Sequence, residues 1–253
     1  MLDAALDLAG AGWQVLPCIP TGPKAKAPLT PNGFKDATTD PEVIRAWWEQ
    51  WPAALIGVVI PEHLLVLDID PRNGGSMAEL EQALGTLPDT LTSWSGRGDG
   101  GCHMWFHSPT GRLSSKKLPQ GVDLKLGGRG YCIAPPSPHP ATGTAYRWDG
   151  DQVACLPRRA SMTLRAAAPP RALTAASTGP SGSNNAGLIR FVSEATQGQR
   201  NDRLFWAACR AFENGNDHII DRLFDAALTI GLSDQEAART ISSAKQSAGG
   251  ATQ

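Results

Sequence analysis

Charge of either sign is in short supply. The formal net charge is −1, so no global field draws this chain to a polyanion, although a local basic patch would still do so. Zinc-type cysteine spacing is missing too: Cys18, Cys102, Cys132, Cys155 and Cys209 are odd in number and scattered, with no C-x-x-C pair. That excludes a zinc knuckle or a disulfide framework and points to a reducing cytoplasm. No segment approaches the roughly 18–20 apolar residues of a membrane span, and the opening Met1-Leu2-Asp3 has no basic stretch leading into a long apolar one. A cytoplasmic protein with no membrane partner is expected. Also absent are an internal repeat and a Walker A motif, since TGPKAKAPL does not fit G-x-x-x-x-G-K-[ST].

What is present describes a soluble globular chain. Its 253 residues are 41% hydrophobic and 19% charged, enough for one large domain or two smaller ones. Leu2, Ala5, Leu6 and Ala9 share a helical face. WQVLPCIP alternates like a strand, and a Gly, Pro and Lys-rich loop follows. Asp40-Pro41-Glu42 is a helix start, with an Asp N-cap and Pro in the first turn, on a helix carrying Trp47 and Trp48. LIGVVI and LLVLDID read as two strands joined through Pro61-Glu62-His63 as a hairpin, and SMAELEQALGTL as a helix. HMWFHS, VDLKLG and YCIAPPS are further strands, and TAYRWDG is a candidate for one more. Helices interleaved with apparent hairpins predict an α+β fold rather than a doubly wound sheet. Residues 166–186 have a linker composition of Ala, Ser, Pro and Gly, dividing a domain over 1–165 from a small helical one over 187–253. In the latter, Ser233-Asp234-Gln235-Glu236 forms a capping box.

The chemistry gathers in three places. In LLVLDID, Asp68 and Asp70 are two apart on a strand and project from one face. Like charges held together repel unless a cation lies between them, and hard oxygens suit Mg²⁺ or Mn²⁺. Alone, the pair reads equally as acids of a solvated turn. In SWSGRGDGGCHMWFHS, Gly96, Gly98 and Gly101 match G-x-G-x-x-G literally, but a strand follows rather than the helix that a dinucleotide fingerprint requires. The segment is better read as a turn carrying Arg97 into a strand that begins at His103; both groups suit phosphate. In GVDLK, Asp123 and Lys125 share a strand face, the acid completing a metal site and the lysine offering charge to a triphosphate, or the two forming only a surface pair. Ser137 and His139 lie in the proline-fixed turn that follows.

This ordered set, with GWQVLPCIP, the KAKAPL loop and the Asp40 helix, resembles the bifunctional DNA primase/polymerase (prim-pol) domain of the archaeo-eukaryotic primase superfamily, from about Ala5 to Trp148. The resemblance implies a mixed or antiparallel sheet whose catalytic half is RRM-like. It implies Asp68, Asp70 and Asp123 as ligands of Mg²⁺ or Mn²⁺, with no zinc, and a catalytic His103 on the incoming nucleotide's phosphates, assisted by Arg97 and Lys125. Family members often carry Ser two residues before that histidine, where this chain has Gly101. The implied activity is primer synthesis or extension from NTPs or dNTPs on single-stranded DNA, in replication of a phage, plasmid or other mobile element, with any replicative helicase on another polypeptide. The C-terminal GQRNDRLFWAACRAFENG segment is similar to the small helical primase C-terminal domain. The competing readings are a catalytically inactive nucleotide- or DNA-binding module on the same fold and another D-x-D metal enzyme.

Overall fold

The computed structural model describes residues 1–109, 111–166 and 183–249. They cluster into two compact units: Met1–Ser108 with Lys117–Leu156, and Pro109–Lys116 with the described residues from Pro157 onward. Most of the expected linker, 167–182, lies outside the described residues.

In the first unit, α1 (Leu2–Gly10) buries Ala5 and Ala9. α2 (Pro41–Gln50) starts where its sequence dictates: the Asp40 carboxylate accepts from the Glu42 amide at 2.9 Å, and Ile44 and Trp48 are buried. α3 (Met77–Leu84) is capped by Ser76, which accepts from the Glu79 amide at 3.2 Å. The strands form two sheets. β1 (Val15–Cys18), β2 (Leu55–Val59) and β7 (Tyr131–Ile133) make an antiparallel sheet in the order β1-β2-β7. β1 tolerates Pro17 because it is an edge strand. The larger sheet runs β6-β3-β5-β4-β8, from β3 (Leu64–Ile69), β4 (Thr92–Trp94), β5 (Cys102–His107), β6 (Val122–Leu126) and β8 (Arg147–Asp149). β9 (Ala154–Cys155) adds to β5 in parallel, so the sheet is mixed.

The expected hairpin between LIGVVI and LLVLDID does not form. β2 sits in the middle of the small sheet and β3 inside the large one. The reason is burial: all five residues of β2, and every residue of β3 except Asp68, are buried. A strand covered on both faces needs a neighbour on each edge, and β3 finds them in β5 and β6. Leu64, Val66 and Trp105 from one face of the large sheet pack with Val58, Ile60, Ile44 and Trp48 in a shared core. Asp68 continues that face at the strand end, where the apolar packing stops.

The second unit is helical: α4 (Arg158–Leu164), α5 (Ser183–Ser193), α6 (Arg200–Glu213), α7 (Ile220–Thr229) and α8 (Asp234–Gly249). α5 begins inside the stretch read as linker. Val192, Leu204, Ala207, Leu223, Ala227 and Ala237 form its core, the small alanines letting α6 and α8 approach closely. The capping box forms as expected: Ser233 Oγ accepts from the Glu236 amide at 3.3 Å, and Glu236 Oε2 accepts from the Ser233 amide at 2.9 Å.

Candidate active site

Strand pairing assembles the site. Asp68 on β3 lies directly opposite His103 on β5 and Asp123 on β6. Opposite residues of antiparallel strands point to the same face, with Cα atoms about 4.5–5.5 Å apart. His103 is in turn opposite Ser93 on β4, a strand that the glycine-rich reading of this segment did not anticipate. The ladder of β3 and β6 extends one step past the strand end, where the Asp70 amide donates to the Gly121 carbonyl at 2.8 Å. Gly75 and Gly121 make that approach possible. A Cβ on Gly121, at φ +72°, would lie 2.2 Å from the Gly75 nitrogen, and one on Gly75 would lie 2.2 Å from the Gly121 oxygen.

The acids are not left bare. Asp68 Oδ2 pairs with Lys125 Nζ at 3.0 Å, and its Oδ1 is 3.5 Å from His103 Nε2. Burial alone would pull the Lys125 ammonium down, but the Asp68 carboxylate, with Cys132 and Asp123 acting the same way, leaves it above the usual lysine range. Asp70 turns to its own short 3-10 helix, Pro71–Asn73, and accepts from the Arg72 amide and guanidinium and from Asn73 Nδ2. Asp123 is exposed on the same sheet face as Asp68.

Burial pulls His103 down to about 4, against the Asp68 carboxylate, with Lys125 and Lys26 pushing it the same way as burial. The ring is therefore neutral at pH 7. Its Nε2 faces a carboxylate and so carries the proton. Nδ1 then accepts from Ser93 Oγ, 3.1 Å away. Sequence reasoning missed Ser93. It supplies a hydroxyl partner for His103 from a neighbouring strand, while Gly101, the position where a serine was expected, donates its amide to Asp99 Oδ1 at 3.0 Å and accepts from the Ser95 amide at 2.8 Å.

Two adjoining cavities open here. The smaller, about 160 Å³, is lined by Asp68, Asp70, Arg72, Arg97, His103 and His139 among others. Three N–H donors converge on His139: Arg97 Nε at 3.1 Å and Lys26 Nζ at 3.4 Å reach Nε2, and the Ala141 amide reaches Nδ1 at 3.1 Å. Burial, then Lys26, Arg97 and Arg72, bring His139 down to about 4. A neutral imidazole has one lone pair to offer these donors. Burial and the neighbouring Arg97 and Arg72 also lower Lys26. The small cavity thus holds a surplus of N–H donors around His139, while its charges balance, Lys26, Arg72 and Arg97 against Asp68, Asp70 and Asp99. Ser137, the other residue of that turn considered from sequence, is structural: its buried hydroxyl accepts from the Ile56 amide at 2.8 Å. The larger cavity, about 600 Å³, is walled by Lys125, Phe34, Tyr131 and Arg129, and shares Lys26, Asp68, His103 and Tyr146 with the smaller one.

The fold places Asp68, Asp70, Arg97 and His103 around one cavity, Lys125 around the adjoining one, and Asp123 beside Asp68 on the sheet. Among the described residues, no group of three or more His, Cys, Asp or Glu side chains is disposed to hold a metal ion. The pair Asp68 and Asp123 is the donor set that suits a hard divalent cation, two neighbouring carboxylates leaving further positions for phosphate oxygens and water. Asp70 joins them only by giving up Arg72.

The chain thus presents an α+β domain with a polar cleft where Asp68, His103 and Asp123 meet on the large sheet. The family model described as bifunctional DNA primase/polymerase, N-terminal, matches residues 5–162, and the chain belongs to that family. No curated protein matches the chain. Among the described residues, no helix is long and apolar enough to cross a membrane.

Proposed function

We propose that the cleft binds the triphosphate of an incoming NTP or dNTP and joins it to the 3′-hydroxyl of a primer on single-stranded DNA. One observation carries this reading: Lys26, Arg97 and the Ala141 amide all aim donors at His139, a ring that can accept only one hydrogen bond. An acceptor-rich polyanion supplies the missing acceptors and separates the crowded cations. Arg97 offers its fork to phosphate oxygens, and Lys26 offers a point charge. His103 Nε2–H donates to a phosphate oxygen, in the tautomer that Ser93 selects. Asp68 and Asp123, with Asp70 once freed from Arg72, would hold Mg²⁺ or Mn²⁺. Such an ion, when bound, lowers the pKa of the attacking hydroxyl and neutralises the departing pyrophosphate. Lys125 holds the Asp68 carboxylate in position before nucleotide arrives.

The same reading extends to an RRM-like large sheet, to a C-terminal helical unit that grips template or initiating nucleotide, and to cytoplasmic replication of a mobile element with a helicase from another polypeptide. The test supplies a primed or unprimed single-stranded template, labelled NTPs or dNTPs, and Mg²⁺ or Mn²⁺. Labelled oligonucleotides are expected from the wild type, with a loss of at least about 10³-fold in Asp68→Ala and Asp123→Ala. Synthesis surviving both substitutions refutes the acid assignment. DNA and nucleotide binding without any synthesis by the wild type favours the inactive binding module.

A further inference from the structure

Tyr146 has a buried ring and a hydroxyl for which the scheme above has no use. It is 4% exposed and lines both cavities. Its ring is fixed on three sides: stacked near His103 (6.4 Å between centroids, 16° between planes), tilted against His139 at 5.7 Å, and beneath Lys26 Nζ at 5.7 Å. Its amide donates to the Ser137 carbonyl at 2.8 Å, yet its phenolic hydroxyl makes no hydrogen bond to any described residue. The chain's other tyrosine behaves in the ordinary way, Tyr131 donating its hydroxyl to the Lys26 carbonyl at 2.9 Å. Burial, joined by the Asp68 carboxylate and opposed by Arg97, pushes Tyr146 up to about 12, so its hydroxyl remains a protonated donor beside the acid. The ring is buried, but the hydroxyl is not among the enclosed polar atoms that lack a partner, so it opens onto the cavity space, where a ligand atom can take its hydrogen bond.

Position identifies the ligand atom. Lys26, Asp68, His103 and Tyr146 are the residues common to the two cavities. The small cavity, with the N–H donors of Lys26, Arg97 and Ala141 crowded on His139, suits phosphates, and the larger one, with Phe34 and Tyr131, suits the nucleoside. In a nucleotide, the part joining triphosphate to base is the sugar. We propose that Tyr146 reads the sugar of the incoming nucleotide, its hydroxyl hydrogen-bonding to a sugar hydroxyl at the junction of the two cavities. This rests on the triphosphate reading of the small cavity. A site built to bond a substrate hydroxyl discriminates against the analogue that lacks it, because the protein's own polar group is again left unpaired.

The test is calorimetric binding of ATP, dATP and 2′,3′-dideoxy-ATP to the full chain, with Mg²⁺ or Mn²⁺ and without, for wild type and Tyr146→Phe. The phenylalanine keeps the ring between His103 and His139 and removes only the hydroxyl; a thermal melt checks that the fold is intact. Wild type is expected to bind the dideoxy nucleotide about tenfold more weakly than a nucleotide bearing the hydroxyl that is read. Tyr146→Phe is expected to erase that difference while changing dideoxy-ATP binding less than twofold. A loss confined to ATP assigns the 2′-hydroxyl, and a loss shared by ATP and dATP assigns the 3′-hydroxyl. Equal losses on all three nucleotides, or none on any, overturn the proposal while leaving the triphosphate reading standing. Failure of the wild type to bind any of the three overturns both. Tyr131→Phe serves as the contrast: it frees the Lys26 carbonyl and is expected to weaken all three nucleotides alike.

Discussion

Removing the hydroxyl of Ser93 tests the tautomer argument directly. Ser93 is fully buried, and its Oγ lies 3.1 Å from His103 Nδ1. In Ser93→Ala the volume change is small, but the imidazole loses the donor that pins its lone pair. Two effects follow. The buried Nδ1 left without a partner costs about 1–3 kcal/mol of stability, which lowers the melting midpoint by about 2–4 °C per kcal/mol for a domain of this size. The intrinsic preference between the two neutral tautomers is small, so a share of molecules then turns a lone pair, rather than a proton, toward Asp68 and any bound phosphate. One misdirected neutral hydrogen bond is worth about 1 kcal/mol, or about fivefold in triphosphate affinity. Histidine ¹⁵N spectra read the tautomer, and titration with a non-hydrolysable triphosphate reads the affinity. Wild-type His103 is expected to carry its proton on Nε2, and Ser93→Ala to show a mixture. A wild-type ring protonated on Nδ1, or a variant with the same tautomer and the same affinity as wild type, refutes the reasoning.

Two more outcomes are expected. His103 and His139 both have pKa values near 4 in the folded chain, below the ordinary 6.5. Between those values the unfolded chain binds more protons, so stability is intact above about pH 6.5 and is lost as pH falls toward 4. Each histidine accounts for about 2 kcal/mol by pH 5, measurable by urea unfolding of the metal-free protein at pH 7 and pH 5; equal stability at the two would contradict the neutral-ring assignment. Gly121→Ala forces a Cβ to 2.2 Å from the Gly75 nitrogen at a φ of +72°. It is expected to cost about 3 kcal/mol and to weaken nucleotide binding by loosening the strand that carries Asp123 and Lys125, read by denaturation and titration together.

Residues whose chemistry follows from local alternation were legible in the sequence. Asp68, His103, Asp123 and Lys125 each sit on a short run whose composition announces a strand, on which every second side chain shares a face, and the Asp40 and Ser233 caps are written in short local signatures. Ser93, Lys26 and Tyr146 were not legible as site residues, because what brings them there is non-local pairing. Ser93 becomes significant only when β4 lies against β5, and Tyr146 only when its ring comes to rest between His103 and His139. The β2–β3 hairpin failed for the same reason: two adjacent apolar runs look like partners until each is found to be paired on both edges by other strands. Asp70 carries a local signal that competes with its expected role, since D-P-R-N is also a capping turn, and in this structure the turn holds the carboxylate.

The order of the strands also bears on how the protein is made. Asp68 is flanked by β5 and β6, whose residues His103 and Asp123 follow it by 35 and 55 positions. At about 5–20 residues per second, the ribosome needs roughly 4–16 s to pass from Asp68 to Tyr146. During that interval the apolar LLVLDI segment is synthesised before either of its edge partners, a window open to intermolecular pairing. The cleft is therefore completed only after Tyr146 has been synthesised, and chaperone dependence should track delays placed between codons 69 and 122.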